Sequence, residues 1–532
     1  MKRQIEWVAR AGLCAWLLWI PLPFGSVPRW TLFPFVAGIA VVALLAILPR
    51  LRTIQDDDFH LRVTATGMVW GCSAFIFLAV VLVQLVPLPP SLVKLLAHGS
   101  FEVWEQARSV HDLLDPEGGR FRSWFPLTID PPATRHHLAR LIAYLLVFVS
   151  SALLIRQRSH RLLLTAVLGA AAGFQVLYGL EQWARGSREI WGWTNALIHN
   201  RVTGTFVNPN HFAHYLAIIL PLAVYVGLAI WRRAQGTAWS FAGTVARLIE
   251  RSFLPFGLAV AMGGLCLGGI LVAQSRGALL ALLAAVGGVL SVAYFRSIGP
   301  IPDQRMSRHR RRRLRLVRAG SVVFSVLGVL VLTMAFWIGT ERTLSRFIPA
   351  EGDAVTVVGR VIGARAAVGV WSRFPLYGSG LGTFDRVVLM TQQKGFDKVF
   401  THAHNDYLEI LATTGLAGFI PAFAGLLLGF WLLARSTLNR RHGRRGADET
   451  GRLGSDDLLF FRVAAIASLA TAMIHALIDF NFFIPANPAT LAAILGAACA
   501  VPRRKAASPQ GEQRDDLEPV LADETGNESL SR

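Results

Sequence analysis

Nine consecutive residues, Thr401-His402-Ala403-His404-Asn405-Asp406-Tyr407-Leu408-Glu409, bring two histidines, two acids, an asparagine and a tyrosine together directly ahead of an apolar run. Three chemistries fit them. A metal centre is one, since His402, His404 and Asp406 alternate as ligands do, although Tyr407 follows instead of a further His and neither a Cys nor a third cluster lies nearby. A helix cap is another: Asn405 or Asp406 would accept from the first free N–H groups of the following helix, which accounts for neither histidine. Proton transfer is the third. A neutral imidazole with a pKa near ~6.5, at a lipid–water boundary, is suited to take a proton from a sugar or protein hydroxyl.

Cationic residues elsewhere would complement such a base. In Asn200-Arg201-Val202-Thr203-Gly204-Thr205-Phe206-Val207-Asn208-Pro209-Asn210-His211, Pro209 disfavours helix at Asn208, so a helix starts near Asn210. Arg201 precedes that start, on the side where unpaired N–H groups welcome phosphate. Snorkelling to lipid headgroups is the plainer role for it. In Gln274-Ser275-Arg276-Gly277, Arg276 is the only charge between Arg251 and Arg296. A charge there costs a few kcal/mol unless partnered, which points to an anion, a purely structural turn being the alternative. Arg360 and Arg365 fall on an expected interfacial helix over Val355–Arg373. A spacing of five turns them about 140° apart, so at most one reaches a shared site. Gly378-Ser379-Gly380-Leu381-Gly382 is rich enough in glycine to cradle phosphate, but it is neither a P-loop nor a dinucleotide fingerprint. His475 and Asp479, one helical turn apart, are placed to pair with each other or to relay a proton.

The elements that hold these residues are dictated by composition. The chain is 53% hydrophobic and 16% charged, too apolar for a water-soluble globule of its length. Runs long enough for helices spanning a bilayer recur about twelve times: Val8–Phe24, Leu32–Leu48, Met68–Val86, Leu141–Ile155, Leu163–Gln182, His211–Trp231, Phe253–Ala273, Ala278–Phe295, Gly320–Ile338, Ile410–Leu433, Val463–Phe480 and Pro488–Val501. The formal charge of +20 invites nucleic acid. Its distribution argues otherwise. With the N-terminus inside, Arg50/Arg52/Arg62, Arg156/Arg158/Arg161, Arg232/Arg233, Arg308–Arg318, Arg435–Arg452 and Arg503/Arg504 all fall inside too, as the positive-inside rule requires. Nucleic acid is therefore not expected as a partner; membrane lipids are.

The expectation is an all-α polytopic membrane protein of about twelve transmembrane helices, with a large outer loop carrying interfacial helices. Five segments follow: 1–138, the first spans and first outer loop; 139–338, central spans with short outer loops; 339–409, the large outer loop; 410–505, the last spans; and 506–532, an acidic, Ser- and Pro-containing tail expected to be disordered inside. Cys14, Cys72, Cys266 and Cys499 all lie in expected spans and read as small apolar residues. The first span has no cleavage site after it and is expected to stay.

Several ordered blocks resemble the O-antigen ligase and polymerase superfamily of bacterial envelope glycosyltransferases. They are Arg201–Asn210, Ser275-Arg276-Gly277, Gly359-Arg360 with Trp371 and Pro375–Gly382, and His404-Asn405 followed after nine residues by Gly415. The resemblance implies a multi-pass protein of the bacterial inner membrane, its large loop and active site facing the periplasm. It implies transfer of a glycan from an undecaprenyl diphosphate carrier to an acceptor hydroxyl, on lipid A-core or another molecule, with no metal and no cofactor. It further implies His404 as general base and Arg201, Arg276 and Arg360 as holders of the diphosphate, with His402, Asn405, Asn208 and Asn210 in support. Repeat-unit polymerase and protein O-oligosaccharyltransferase are alternatives within the family, and an ion or bicarbonate transporter is one outside it.

Overall fold

Short polar side chains set several of the helix starts. In the computed structural model, which describes residues 2–51, 64–115, 121–195, 201–235, 241–297, 357–391, 400–438 and 449–501, Asp130 Oδ1 accepts from Ala133 N at 3.0 Å, Asn208 Oδ1 from Asn210 N at 2.8 Å and Asn405 Oδ1 from Leu408 N at 3.0 Å. Each satisfies a first-turn amide that would otherwise be unpaired. An Asn208→Ala variant is expected to lose about 1 kcal/mol of stability through that cap alone; thermal unfolding in detergent measures it, and an unchanged midpoint would show that the cap is idle.

The described helices, in chain order, are α1 (Lys2–Trp19), α2 (Leu32–Leu51), α3 (Ala65–Leu85), α4 (Pro90–Leu96), α5 (His98–Leu114), α6 (Pro131–Leu154), α7 (Arg158–Ala184), α8 (Pro209–Gln235), α9 (Phe241–Val272), α10 (Arg276–Ser297), α11 (Val357–Arg373), α12 (Phe384–Val387), α13 (Asp406–Leu438), α14 (Glu449–His475) and α15 (Ala486–Cys499). A two-stranded ribbon, Glu189–Ile190 with Trp193–Thr194, is a minor addition. Eight helices among the described residues are long and apolar enough to cross a bilayer: α2, α3, α6, α7, α8, α9, α13 and α14. Helices α10 and α15 contribute shorter apolar segments. Every expected run but one falls on a described helix; Gly320–Ile338 lies outside the described residues, as do 298–356 and the tail from 502.

Helix α8 is the innermost span, 72% of its apolar window being buried against 11% for α3. It packs on α9 and α14, while α3 lies along α13 and α15 along α6. The principal apolar core joins α1, α2, α6, α7, α8, α14 and α15. The bundle has two chemically distinct ends. At one, Arg10 Nε donates to Leu154 O at 3.4 Å, Arg50 Nη2 to Leu153 O at 2.7 Å and Arg156 Nε to Val501 O at 3.0 Å. There too Arg158 and Arg161 both close on the buried carboxylate of Asp457. These arginines are among those the sequence puts inside. At the other end meet the end of α1, the starts of α8, α13 and α15, and the ends of α7, α9 and α14.

Two boundaries differ from expectation. Helix α6 begins at Pro131, ten residues ahead of its apolar run at Leu141, because Asp130 caps it and prolines occupy its first positions. Helix α14 stops at His475, so Asp479 lies in the turn beyond it. The first outer loop is itself folded: α4 and α5 carry a small core of Val93, Ala97, Trp104, Phe125 and Leu127. Arg373 of α11 pairs with Glu102 of α5 at 3.1 Å, so this loop and the 357–390 region form one cap.

Candidate functional site

Backbone geometry first decides what the Gly-rich stretch does. Gly378, Gly380 and Gly382 all have positive φ, as does Gly415, where α13 breaks at φ 60° and ψ −169°. The break frees the amides of Leu416 and Ala417, which donate to Pro375 O at 3.0 Å and Leu376 O at 2.9 Å. In return Ser379 N donates to Ala412 O at 3.2 Å, Gly380 N to Thr413 O at 3.0 Å and Leu381 N to Gln84 Oε1 at 3.1 Å. A Cβ at Gly378 or Gly415 would overlap the facing backbone. The amides that a phosphate cradle needs are thus spent on carbonyls. The stretch is a clasp that seats the cap on α13 and fixes the start of that helix.

The segment before α13 is stapled to the end of α14. Asp406 N donates to Ala476 O at 2.9 Å, Asn405 Nδ2 to Leu477 O at 2.9 Å and Tyr407 Oη to Met473 O at 2.9 Å. Asp406, fully buried, accepts from Phe482 N. His404 takes the left-handed conformation, φ 50°, and its Nδ1 lies 3.4 Å from Asp479 Oδ1, close enough for charge coupling. The same carboxylate has His211 Nε2 at 3.7 Å and Arg360 Nη2 at 4.0 Å. Burial alone would push Asp479 up; the imidazoles of His211, His404 and His475 outweigh it and hold the carboxyl well below the usual range. His211 Nε2, His404 Nδ1, Arg360 Nε and Asp479 Oδ2 are buried yet complete no hydrogen bond among the described residues.

Arg201 does not reach outward to headgroups. Its Nε donates to Ala273 O at 2.8 Å, and its Nη2 to Asn210 Oδ1 at 3.0 Å and Gln274 O at 3.3 Å. The carbonyls at the end of α9, which carry partial negative charge, thereby set a guanidinium beside the turn that bears Arg276. Arg276 is the first residue of α10 and is exposed. A cation there opposes the helix dipole by a few tenths of a kcal/mol to about 1 kcal/mol, a cost that an anionic ligand reverses. Under the turn, Gly277 packs on His475, where any side chain would overlap the ring.

His475 does not pair with Asp479 as its spacing suggests. Its Nδ1 meets His214 Nδ1 at 2.9 Å, because the end of α14 at His475 swings Asp479 into the turn. Of the two arginines on α11, Arg360 reaches the Asp479 cluster and Arg365 is exposed. His402, His404 and Asp406 likewise diverge, to Glu409, Asp479 and the Phe482 amide.

His402 packs on Phe480, the ring that His404 and His211 also touch. Its ring stacks on Phe480 with centroids 4.0 Å apart, whereas His404 and His211 meet that ring edge-on at 5.0 Å and 4.5 Å. His402 Nδ1 lies 2.8 Å from Glu409 Oε1, whose other oxygen accepts from Ala403 N at 2.8 Å. Burial lowers the imidazole, but Glu409, then Asp385 and Asp479, outweigh it and raise the net pKa above the ordinary value. The stability this pair contributes is therefore complete below pH ~6.5 and is lost as pH rises through the raised value. A Glu409→Gln variant is expected to remove most of that alkaline loss, because burial alone lowers the imidazole, read from unfolding midpoints against pH; an alkaline arm that persists unchanged would dismiss the ion pair.

Sequence reasoning paired Asp479 with His475 alone, counted Glu409 only among the acids of its segment, and gave His211 and Phe480 no site role. An acid at the end of an apolar run was the signal that singled out Asp479, but not its partners. The aromatic hub at Phe480 had none.

Residues 261–423 match the family model described as O-antigen ligase, which supports the O-antigen ligase superfamily for this part of the chain. The match takes in Arg276, Arg360, His402 and His404 and leaves out Arg201. No curated protein matches the chain.

Proposed function

We propose that this multi-pass membrane protein, whose residues 261–423 carry the O-antigen ligase family's match, is a glycosyltransferase that moves a glycan from an undecaprenyl diphosphate carrier to an acceptor hydroxyl at the periplasmic face of the inner membrane. The observation that carries the reading is His404 beside the Asp479 carboxylate, at the same end of the bundle as Arg201 and the Arg276 turn. With its Nδ1 proton facing Asp479, His404 keeps the Nε2 lone pair for the acceptor O–H. The acceptor oxygen bonds to the anomeric carbon as the bond to the diphosphate oxygen breaks, and the proton passes to Nε2. Arg201, Arg276 and Arg360 take the charge that develops on the departing diphosphate, for which planar guanidinium groups fit paired oxygens. Asn210 orients Arg201, Asn208 and Asn405 fix the two helix starts, and Glu409-paired His402 lines the acceptor side.

By the positive-inside rule, an arginine-rich end at the inside would put the site at the periplasmic face, and the eight helices long enough to span, with two shorter apolar ones, suit a multi-pass protein. Gathering of the charged groups at one end, away from a bilayer midplane, favours transfer over transport. Glycolipid profiles of cells with and without the gene test the reading. Loss of long chains from lipid A-core means ligase, a single-repeat band means polymerase, and a loss confined to glycoproteins means a protein O-oligosaccharyltransferase. An unchanged profile in all three overturns it.

A further inference from the structure

Next to His402 lies a cleft of about 350 Å³, within the usual size of small-ligand sites. Arg29, Arg140, His136, Arg386, His402 and Glu409 are among its walls. It is built from the approach to α2, the first turns of α6, the short α12 and the 401–409 segment, and it shares no arginine with the proposed diphosphate site. Arg140 is only 8% exposed and donates from Nη2 to Val27 O at 2.9 Å; four further N–H donors belong to its guanidinium. Burying a guanidinium is costly unless an anion or carbonyls meet it. The acids nearby are largely engaged. Asp130 pairs with Arg386 and caps α6, and Glu409 binds His402 and the Ala403 amide. Asp385 remains on the rim. Asp130 and Glu409 are thus committed to Arg386 and His402, and neither closes an ion pair with Arg29 or Arg140 among the described residues.

We infer that this cleft is an anion subsite for the acceptor, holding a carboxylate- or phosphate-bearing sugar next to the hydroxyl that is glycosylated. The assignment rests on the transferase reading above. Two substrates must reach one anomeric carbon from different sides. None of the diphosphate arginines lines the cleft, while His402, which does, stacks on the Phe480 ring that His404 meets edge-on, so a hydroxyl delivered from the cleft reaches His404 from a different direction than the leaving group. Arg29 and Arg140 make charge-assisted bonds to the anion, and Arg386, held by Asp130, borders it.

The full-length chain in lipid nanodiscs tests this in two arms. Glucose 6-phosphate, with glucose as the neutral control, probes the cleft directly. Glucose 6-phosphate should bind and glucose should not. Arg29→Gln and Arg140→Lys should each weaken binding by about tenfold, the order of one lost charge-assisted contact, while Arg201→Gln leaves it unchanged. Arg29 is exposed, so its variant should keep the fold if Arg140→Lys does not. Equal binding of the two sugars, or loss only in Arg201→Gln, overturns the site. In the second arm, glycan transfer is followed with an anionic acceptor glycolipid and its enzymatically neutralised form. Arg29→Gln should raise the acceptor KM about tenfold for the anionic form alone and leave the donor KM untouched. A rise in donor KM instead gives the anion to the donor glycan and overturns the acceptor assignment. If the wild-type chain transfers no glycan yet binds glucose 6-phosphate through Arg29 and Arg140, the transferase reading fails, and the acceptor assignment with it, while the anion site stands.

Discussion

Replacing His404 by Asn is expected to lower glycan transfer by about 10²–10⁴-fold, the range for losing a positioned general base, with the chain still inserted and folded. Asn is the informative substitution. Position 404 has φ 50°, a conformation that Asn adopts more readily than most side chains, so the backbone strain that Ala would add is avoided and the loss reports on chemistry. The His404→Asn chain should keep its unfolding midpoint and its donor KM and lose kcat, because the base acts on the acceptor hydroxyl only as the bond forms. His402→Asn should fall less steeply, since that ring is bound to Glu409 across Phe480. Full transfer by a folded His404→Asn protein would sink the assignment. A collapse of transfer in His402→Asn alone would move the base to His402.

Asp479→Asn is expected to match that loss, on the order of 10²-fold or more, by a different route. The carboxylate is fully buried, and it faces His404, His211 and Arg360. Without its charge, the nearby carboxylate no longer favours a proton on His404 Nδ1, and Arg360 faces a neutral amide. Breaking one partner of a fully buried ion pair costs about 3–5 kcal/mol; with Arg360 about a third exposed and solvent screening its share, roughly half of that is the expected destabilisation. The pH dependence has a definite sign. Asp479 is held well below the usual carboxylate range, so its stabilisation is present at all pH above ~3.8 and is lost as pH falls through the depressed value. The Asn variant should therefore show its deficit at neutral pH and converge on the wild type only in strong acid. A deficit that vanished already near pH 5 would mean that Asp479 is not the buried counterion. Transfer that survived while stability fell would confine Asp479 to structure.

Much of the architecture was legible because hydropathy is local: a run of about 20 apolar residues implies a span whatever lies elsewhere, and Asn208, Asn405 and the Pro131-Pro132 pair act within a turn of where they stand. Hydropathy misjudged α6 and α14 because it reports the preference for lipid. Where a helix begins or ends depends on caps such as Asp130, which hydropathy does not read, and on turns such as Ala476-Leu477-Ile478-Asp479, whose apolar residues hydropathy counts as span. Of the candidate site, the density of chemistry in Thr401–Glu409 and the isolation of Arg276 were visible in the chain itself. The ordered blocks that resemble the O-antigen ligases acquired a physical cause only in the fold: Gly415 breaks α13 so that its amides close on Pro375 and Leu376, which binds the two blocks into one clasp.

What the sequence by itself determined was the apolar helices of a multi-pass membrane protein, most of their positions and a short set of residues fit for proton transfer and anion binding. Each follows from composition or from neighbours within a helical turn. The tertiary structure alone decided the pairings: Asp479 with His404 and His211 in place of His475, Arg201 with the carbonyls that end α9, the Gly-rich stretch on Thr413 in place of phosphate, and His402 facing a second, cationic cleft. Most of these partners lie dozens to hundreds of residues apart. No local pattern encodes such contacts; they follow from which helix ends the packing of α8 between α9 and α14 brings to one end of the bundle.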